Sequence, residues 1–529
     1  MFKSNIKDNI FIILIIVIAL YKNAVAKAIQ NEKELLTLLN QKDQSNLELN
    51  INSIIDINND CKIDNSLEKI LIIGNNQQSS ILNFKNYTNT LYFTEKVKEI
   101  ELRNLSIVGN LYFDNNLNIN SIIDINNDCK IDNTFDKLSI VGNNKESSIL
   151  KFTNNENTLY FTEKVKEIEL RNLSIVGNLY FDNNVNIVLE SVSISGNIDS
   201  NFDKKNENVK LINVIYEASS FQKNNCINLG GNIEIKNSKF YGSSLCQERL
   251  FNFNGLNKYN FKAENSYFSG EYHCPCLNID KGNNVYIDSC SFEKAYSSED
   301  NIGGAGIRII NSKSNIKNSN FTDIVSVKEG GAFYLDNIKT FVAEHLEVHN
   351  TTSIQMGSMA YVISELNSNS VAYFRNIRQY NTGNIDGMLE GGLIMGLDKG
   401  AVADVNNYYA ENLINNSKLG CAFNLYDSST LIASNIEINK IRSNYYDGLF
   451  VNSVFSNSVT VKATNITLND AYQQYEKNTG LFLWFNENSK ADLKNYCPVT
   501  IENLEVYNYT STTYQEFFVI ETESSKSCN

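Results

Sequence analysis

The segment Thr90–Asn116, TLYFTEKVKEIELRNLSIVGNLYFDNN, recurs without change as Thr158–Asn184. The segment Ile51–Asn65, INSIIDINNDCKIDN, recurs as Ile119–Asn133, so both copies are shifted by the same offset of 68 in the numbering (119 − 51 = 158 − 90). A globular domain could hardly accept a copied block in its middle, whereas a solenoid can, because each of its units contacts only its neighbours. The duplication therefore predicts a repeat architecture.

Short strand-like runs fill the two copies, which comprise residues 51–116 and 119–184. In Ile100–Asn110, IELRNLSIVGN, apolar and polar residues alternate, break at Asn104 and then resume. Such runs, separated by Asn, Gly, Asp and Ser, are typical of short strands joined by tight turns. The copied block divides into three coils of about 23 residues. The LSIVGN motif, which begins at Leu105, Leu138 and Leu173, has a spacing that also allows two coils of about 34 residues.

In the second half of the chain, glycine opens each repeat and an apolar strand follows it. The first glycines of these repeats are Gly303, Gly330, Gly357, Gly391, Gly420, Gly448 and Gly480. Glycine suits a corner that needs positive φ, and Asn is the next most tolerant residue. Three short strands per coil with such corners predict an all-β fold, a single-stranded right-handed parallel β-helix over residues 45–520.

The segment before the β-helix predicts a short helix. Asn31 precedes Glu32–Leu39, EKELLTLL, and Glu34 stands three residues after Asn31, which is a capping-box pattern. We expect a capping helix within residues 27–44 to cover the first coil, because the end of a solenoid is an open sheet edge. Residues 521–529 form a polar C-terminal tail.

The phrase Asn318–Phe321, NSNF, followed by Gly330–Phe333, GGAF, resembles the FxxN/GGA-type repeats of polymorphic outer-membrane proteins and adhesins. Their wider family is the pectate-lyase-like right-handed β-helix. The resemblance covers most of residues 45–520, although Phe321 is followed by Thr-Asp-Ile instead of the full FxxN pattern. It implies the architecture and leaves the activity open, because this fold serves lyases, hydrolases and adhesins alike.

Charge excludes some classes of partner. The chain of 529 residues has 46 Lys and Arg against 60 Asp and Glu, a net charge of −14. An acidic chain has no electrostatic reason to bind nucleic acid or an anionic membrane surface. With 42% hydrophobic residues it can still form a core, which excludes general disorder.

Residues 1–26 have the pattern of a signal peptide. Lys3 and Lys7 precede the apolar run Ile10–Tyr21, and Ala24-Val25-Ala26 supplies a cleavage site of small residues. An uncleaved anchor is the alternative, but the apolar run is shorter than the roughly 20 residues that span a bilayer. We therefore expect a secreted protein, extracellular or at the cell surface, without a membrane span after cleavage.

Export would place the ten cysteines in an oxidising compartment that favours disulfides. Spacing pairs Cys226 with Cys246 on successive coils, Cys290 with Cys274 or Cys276, and Cys497 with Cys528. The equivalent residues Cys61 and Cys129 stand two or three coils apart, about 10–14 Å, which is beyond the reach of a disulfide. We expect these two to be free or bonded to another chain.

No catalytic, cofactor or metal site is predicted. Arg375 and Arg378 could share one corner as a lyase base, whereas Arg308 and Arg442 stand alone. No Asp cluster accompanies any of these arginines, and the sequence lacks the galacturonase motifs. In a strand, the side chains of His345 and His349 would lie about 13 Å apart, too far for joint ligation.

The loop Asp56–Asp64 and its copy Asp124–Asp132 resemble the first nine positions of an EF-hand calcium loop. They lack the glycine at position 6, where Cys61 stands. They also lack the glutamate at position 12, which is Leu67. We therefore predict a polar loop between coils.

Surface chemistry remains as the basis for function. Glycosylation candidates are Asn86, Asn104, Asn172, Asn320, Asn350, Asn415, Asn465 and Asn508. Tyrosines that could stack on sugars are Tyr408, Tyr409, Tyr445, Tyr446, Tyr472, Tyr475, Tyr509 and Tyr514.

We predict a structural or adhesive, non-catalytic surface protein that binds carbohydrate or another surface protein. The alternative is a polysaccharide lyase or glycoside hydrolase. Two or three acids beside one Arg or Lys on adjacent coils would favour the enzyme, and a face of stacked tyrosines would favour binding.

Overall fold

In a computed structural model the chain divides into two compact units, Met1–Phe221 (unit 1) and Gln222–Asn529 (unit 2). The structure describes residues 27–40, 45–64, 66–76, 78–86, 89–94, 96–113, 116–125, 127–131, 134–201, 207–219, 223–301, 303–365, 370–383, 391–415, 422–443, 448–456, 459–474, 480–487, 499–512 and 516–522. The predicted signal segment 1–26 lies outside these ranges.

Unit 1 begins with the strand Lys27–Ile29 and the helix Glu32–Leu39. The Asn31 side chain accepts from the Glu34 backbone N–H at 3.0 Å, and the Glu34 carboxylate accepts from Gln30 N and Asn31 Nδ2. Asn31 is therefore the N-cap of this helix, and the return bond from Glu34 goes to Gln30 N in place of the Asn31 backbone N–H of a capping box. The helix buries Leu35, Leu38 and Leu39 on one face.

The rest of unit 1 is a parallel β-solenoid in which each coil contributes a strand to each of three sides. Side A consists of Asn46–Ile51, Leu67–Gly74, Phe135–Gly142, Val165–Arg171, Asn186–Glu190 and Asn208–Ile212, with the first parts of Val97–Phe113 and Asn116–Ile125. Side B consists of Ile54–Ile57, Ile81–Phe84, Ile149–Phe152, Ser174–Val176, Ser193–Ser195 and Ile215–Glu217, with later parts of the same two long strands. Side C consists of Cys61–Ile63, Thr90–Phe93, Cys129–Ile131, Thr158–Phe161, Asn178–Phe181 and Ile198–Ser200, with the end of Val97–Phe113.

Unit 2 has the same parallel arrangement, and some of its strands run through two sides. Its shorter side A and side B strands are Asn232–Lys236, Lys239–Tyr241, Phe261–Glu264, Tyr267–Ser269, Val285–Asp288, Ser291–Glu293, Tyr296–Ser297, Lys313–Lys317, Asn320–Ser326 and Thr510–Ser511. The strands that cover both sides are Thr340–Ser353, Val371–Gly383, Val402–Asn415, Thr430–Ser443, Thr460–Gln473 and Val499–Tyr507. Its side C consists of Lys223–Gly230, Cys246–Asn254, Leu277–Asp280, Ile307–Ile310, Phe333–Asp336, Ala360–Ile363, Met395–Asp398, Phe423–Leu425, Val451–Ser456, Gly480–Glu487 and Glu516–Thr522.

The strand register shows how the duplicated block is wound. On side B, Ile55 pairs with Leu82, Leu82 with Ile107, and Ile107 with Ile123. Because Ile123 is the copy of Ile55, the duplicated block makes three coils, and the division into two coils is wrong. The predicted all-β parallel solenoid is confirmed, whereas its right-handed sense stays a prediction.

Asparagine and glycine occupy corners with positive φ, as the pattern predicts. Asn104 and its copy Asn172 have φ of 51° and 52°, at the break between sides A and B. Gly330 and Gly357 have φ of 72° and 75°. A residue with a side chain would be strained at these angles.

Phenylalanines stack through the core of unit 2 from coil to coil. The rings of Phe240, Phe268, Phe292 and Phe321 follow one another at centroid distances of 5.0, 5.0 and 5.1 Å and are nearly parallel. All four are fully buried. Register places each ring directly above the previous one, so the side chains add to the stability of the coil-to-coil contact.

The cysteines follow the predicted pairs only in part. Cys226 and Cys246 form a disulfide with a Cα–Cα distance of 5.2 Å, as their spacing indicated. Cys61 pairs in register with Leu91 and Cys129 with Leu159, so the two equivalent cysteines lie on separate coils. Cys497 and Cys528 lie outside the described residues.

The predicted bridge from Cys290 to Cys274 or Cys276 is wrong, because all three thiols are free and buried. Cys290 takes the place that serine has in neighbouring coils, at the corner between sides A and B. Its Sγ lies 3.4 Å from Asp288 O, as Ser319 Oγ lies 2.6 Å from Lys317 O. The Cys276 thiol lies elsewhere, 3.6 Å from Phe268 O.

No helix in the described ranges is long and apolar enough to cross a membrane.

Candidate functional site

A groove on side B of unit 2 brings polar and aromatic side chains together. Five strands that cover sides A and B form it, and each turns at a corner residue with positive φ. These corner residues are His345, Asn376, Asn407, Asn435 and Asn465. Asn465 Nδ2 donates to Asn435 Oδ1 at 2.9 Å, and Asn407 Nδ2 donates to Asn376 Oδ1. This asparagine ladder fixes one wall of the groove.

After each corner, side chains alternate between core and groove, because successive residues of a strand point to opposite faces. Register aligns the outward residues in two columns. The first column is Glu347, Arg378, Tyr409, Glu437 and Thr467. The second column is His349, Tyr380, Glu411, Asn439 and Asn469. The groove has a volume of about 890 Å³.

Aromatic rings form a continuous surface along this groove. The His349 and Tyr380 rings stack at a centroid distance of 4.7 Å with 10° between their planes. Tyr380 contacts Tyr409 at 5.9 Å with a tilt of 54°. Rings of three successive coils are therefore in contact: the faces of His349 and Tyr380 are turned towards each other, and Tyr380 and Tyr409 line the groove.

Charged groups alternate with these rings. Arg378 is exposed and pairs in register with Glu347 on one side and Tyr409 on the other. Tyr409 donates its hydroxyl to Glu411 Oε2 at 2.9 Å. Burial raises the pKa of Tyr409 above its usual value, and the Glu411 carboxylate adds to that rise. The groove thus offers three Glu carboxylates and one guanidinium to hydroxyl-rich ligands.

Buried hydrogen bonds hold the floor of the groove in place. Tyr408 points into the core and donates to Gln379 Oε1 at 2.5 Å. Gln379 Nε2 donates to Thr382 Oγ1 at 2.8 Å and to Leu393 O at 2.9 Å. Because this network is fully buried, it holds the strand that carries Arg378 and Tyr380 in register with the strand that carries Tyr409.

Arg375 and Arg378 were predicted to lie near the same corner, and this prediction is wrong. Asn376 turns the backbone between them, so that Arg375 lies on side A and only Arg378 lines the groove. Arg375 makes a bidentate salt bridge with Asp404, with Nη1–Oδ1 at 2.9 Å and Nη2–Oδ2 at 2.6 Å. Its guanidinium is therefore engaged. Arg308 lies on side C over the ring of Tyr334, at 5.8 Å from its centroid.

The acidic residues of the EF-hand-like loop are engaged in contacts between coils. Asn83 Nδ2 donates to Asp56 Oδ1 at 2.8 Å, Lys96 binds Asp64 at 3.1 Å, and Asp60 accepts from Thr90 N at 2.9 Å. Within the described ranges, no three His, Cys, Asp or Glu side chains are grouped as ligands for a metal ion.

Among the tyrosines predicted to bind sugars, the pair Tyr408-Tyr409 is divided by strand alternation. Tyr409 faces the groove, whereas Tyr408 is buried, so the prediction of an exposed Tyr408 is wrong. Tyr472 and Tyr509 are partly exposed. Tyr445, Tyr446, Tyr475 and Tyr514 lie outside the described residues.

Sequence reasoning missed Glu347, Tyr380, Glu411 and Glu437 as site residues. Aligning the segments LEVHN, IRQYN, YYAEN and IEINK, which begin at Leu346, Ile377, Tyr408 and Ile436, would have found them. In each segment the second and fourth residues point outward.

The glycosylation candidates differ in exposure. Asn86, Asn104, Asn172, Asn320, Asn350, Asn465 and Asn508 are exposed. Asn415 is fully buried, so a folded chain offers no room for a glycan there. Asn465 belongs to the asparagine ladder, and a glycan on its amide would disrupt the hydrogen bonds to Asn435 and Asn503.

The fold and the groove define the chain as a parallel β-solenoid protein with a polar, aromatic-lined surface groove. Neither a family model nor a curated protein matches the sequence. Among solved structures, that of the PL6 family alginate lyase AlyGC is similar over 94% of this chain and 99% of that chain, with 10% identity and a TM-score of 0.21. At that TM-score the likeness carries no argument about activity, and the fold rests on the strand pairing itself.

Proposed function

We propose that this protein is secreted, remains extracellular or at the cell surface, and binds a polysaccharide non-catalytically in the groove of unit 2. The contacting rings of Tyr380 and Tyr409, which line the groove, carry the proposal, because exposed aromatic rings pack against the C–H groups of sugars. Glu347, Glu411 and Glu437 add hydrogen-bond acceptors for hydroxyl groups beside that surface. Secretion is supported by the signal-like pattern of residues 1–26.

The first prediction concerns Tyr380, the central ring. Replacing it by Ala should weaken polysaccharide binding at least about tenfold, since its stacking contacts with the ligand are lost. Tyr380→Phe should stay close to the unaltered protein, because it keeps the ring. Affinity electrophoresis in gels containing mixed-linkage β-glucan, xylan or polygalacturonate measures the change.

Tyr286→Ala is the matched control. Tyr286 is an outward tyrosine on side A of the same unit, where it donates to Asp288 Oδ2 at 2.7 Å. The variant should bind normally. Equal losses in Tyr286→Ala and Tyr380→Ala, or no loss in either, would contradict binding in the groove.

A polysaccharide lyase or hydrolase is the second candidate, and one observation favours it. Three carboxylates share the groove with the exposed guanidinium of Arg378. Lyases and hydrolases need an acid or base beside the scissile bond. A guanidinium is a poor candidate for the base, however, because arginine side chains in proteins stay protonated.

The second prediction follows from the non-catalytic proposal. The purified protein should release neither unsaturated product nor reducing sugar from pectin, alginate, xylan or glucan, measured by absorbance and by reducing-end assay. Turnover that Arg378→Ala abolishes, while Arg308→Ala retains it, would establish the enzyme instead.

A further inference from the structure

A second aromatic surface lies on side C of unit 1. Lys62 pairs in register with Tyr92, and Tyr92 with Tyr112. Lys130 pairs with Tyr160, and Tyr160 with Tyr180. The six residues, here called the tyrosine stripe, hold equivalent register positions in their strands, and Lys62 and Lys130 are exposed.

Two contacts are recorded between described side chains of the stripe. The rings of Tyr160 and Tyr180 are 5.5 Å apart, close to the spacing of neighbouring strands. Lys62 Nζ lies 5.6 Å from the centroid of Tyr92. Tyr92, Tyr160 and Tyr180 are half-exposed, so each presents part of its ring to solvent.

The stripe consists of the same three-residue set, Lys-Tyr-Tyr, present twice because this part of the sequence is duplicated. Lys130, Tyr160 and Tyr180 are the copies of Lys62, Tyr92 and Tyr112 at the offset of the duplication. Since the block winds three coils, the copy places an identical Lys-Tyr-Tyr triad three coils further along the same side. The strand Cys129–Ile131 contacts the segment Val97–Phe113, so the second triad follows directly after the first.

The width of the stripe decides what it can bind. Its flanks are the polar residues Thr94, Thr158, Thr162 and Asn178, which are at most 9% exposed. A surface one side chain wide, without apolar flanks, cannot supply the area of about 1,200 Å² that a stable protein interface buries. A linear polymer that stacks one ring per coil fits this shape.

Charge defines the polymer further. Lys62 and Lys130 are outnumbered by Asp60, Asp128 and Asp199 at the same side, and the chain as a whole has a net charge of −14. A polyanion, whether a nucleic acid or a polyuronate, would be repelled by this balance. An uncharged polysaccharide has no such penalty.

We propose that the tyrosine stripe is a second binding site, for an uncharged linear polysaccharide, and that the duplication lengthened it from one Lys-Tyr-Tyr triad to two. The site is independent of the groove of unit 2. A polysaccharide that contacts both triads gains avidity, because the second contact is made at high effective concentration.

The test uses the full chain carrying Tyr380→Ala and Tyr409→Ala, so that residual binding reports the stripe alone. Mixed-linkage β-glucan and xylan are the uncharged probes, and polygalacturonate is the charged one. We expect both uncharged polymers to bind, Tyr160→Ala to weaken this binding about tenfold or more, and Tyr160→Phe to change it less than twofold. Polygalacturonate should bind at least tenfold more weakly.

Deleting residues 51–118 tests the role of the duplication, because it removes one triad and keeps Lys130, Tyr160 and Tyr180. Affinity for the polymers should fall at least tenfold, while affinity for a tetrasaccharide of the same glucan should stay within twofold. Failure of both uncharged polymers to bind, tighter binding of polygalacturonate, or full binding by Tyr160→Ala would overturn the proposal. The groove is measured separately in a chain that carries Tyr160→Ala, in which Tyr380→Ala should still weaken binding, so failure of the stripe and failure of the groove are distinguishable.

Discussion

A chain that lacks residues 51–118 should fold into a parallel β-solenoid that is shorter by three coils. The cut joins Asn50 to Ile119, which is the copy of Ile51, so the strands at the junction meet equivalent neighbours in the same register. Ile51 pairs with Gly74 and Ile119 with Gly142, an equivalent contact. Far-ultraviolet circular dichroism should keep its β signal per residue, and thermal unfolding should remain cooperative.

The N-terminal helix should also keep its contacts in this variant. Glu32 accepts from the backbone N–H groups of Asn58 and Asn59 at 3.0 and 3.2 Å, and the copied block has Asn126 and Asn127 at the corresponding positions. The matched control removes residues 51–110 and joins side A directly to the side C residue Leu111. That cut skips side B, so the coils next to the junction and the N-terminal helix should lose their protection from hydrogen exchange; equal protection in both variants would contradict the three-coil register.

Much of this architecture can be predicted because solenoid order is local. An exact copy at a constant offset requires whole coils, and positive φ at a corner selects Asn or Gly, as at Asn104 and Gly330. Each coil places the same steric demand on its corner residue, so Asn or Gly recurs at the corners along the sequence. The N-cap contact between Asn31 and Glu34 is equally local.

The site was harder to predict because it depends on which coils are neighbours. Tyr380 gains its role from His349 and Tyr409, which stand about 30 residues before and after it in the sequence. Side-chain alternation also divides adjacent residues between core and surface, as at Tyr408 and Tyr409. The positions of the tyrosines in the sequence do not show which residues of neighbouring coils are aligned.

The cysteines illustrate the same limit. The spacing of Cys226 and Cys246 fits one coil, and they are bonded. Cys290 also has a suitable spacing from Cys274, yet its corner position directs its thiol to the carbonyl oxygen of Asp288. Separation along the chain indicates which coil a residue occupies, whereas the side of that coil decides whether two thiols can meet.

Phe268→Ala should destabilise the solenoid more than any of the surface substitutions proposed above. Phe268 is fully buried and lies between Phe240 and Phe292 at 5.0 Å from each, so its removal leaves a cavity and breaks the ring stack. Phe-to-Ala changes in cores cost about 3–5 kcal/mol. Because a solenoid unfolds through neighbouring coils, native-state hydrogen exchange should show the loss of protection concentrated in the strands around Tyr267–Ser269.

Two controls separate this packing effect from a general effect of substitution. Phe268→Leu retains most of the volume and should cost less than about 1.5 kcal/mol. Tyr267→Ala changes the adjacent residue, which faces outward and donates its hydroxyl to Glu293 Oε2 at 3.1 Å, and should cost about 1 kcal/mol or less. If Tyr267→Ala were as costly as Phe268→Ala, the alternation of this strand would be reversed, and the outward columns that define the groove and the tyrosine stripe would need to be reassigned, because both depend on the same rule.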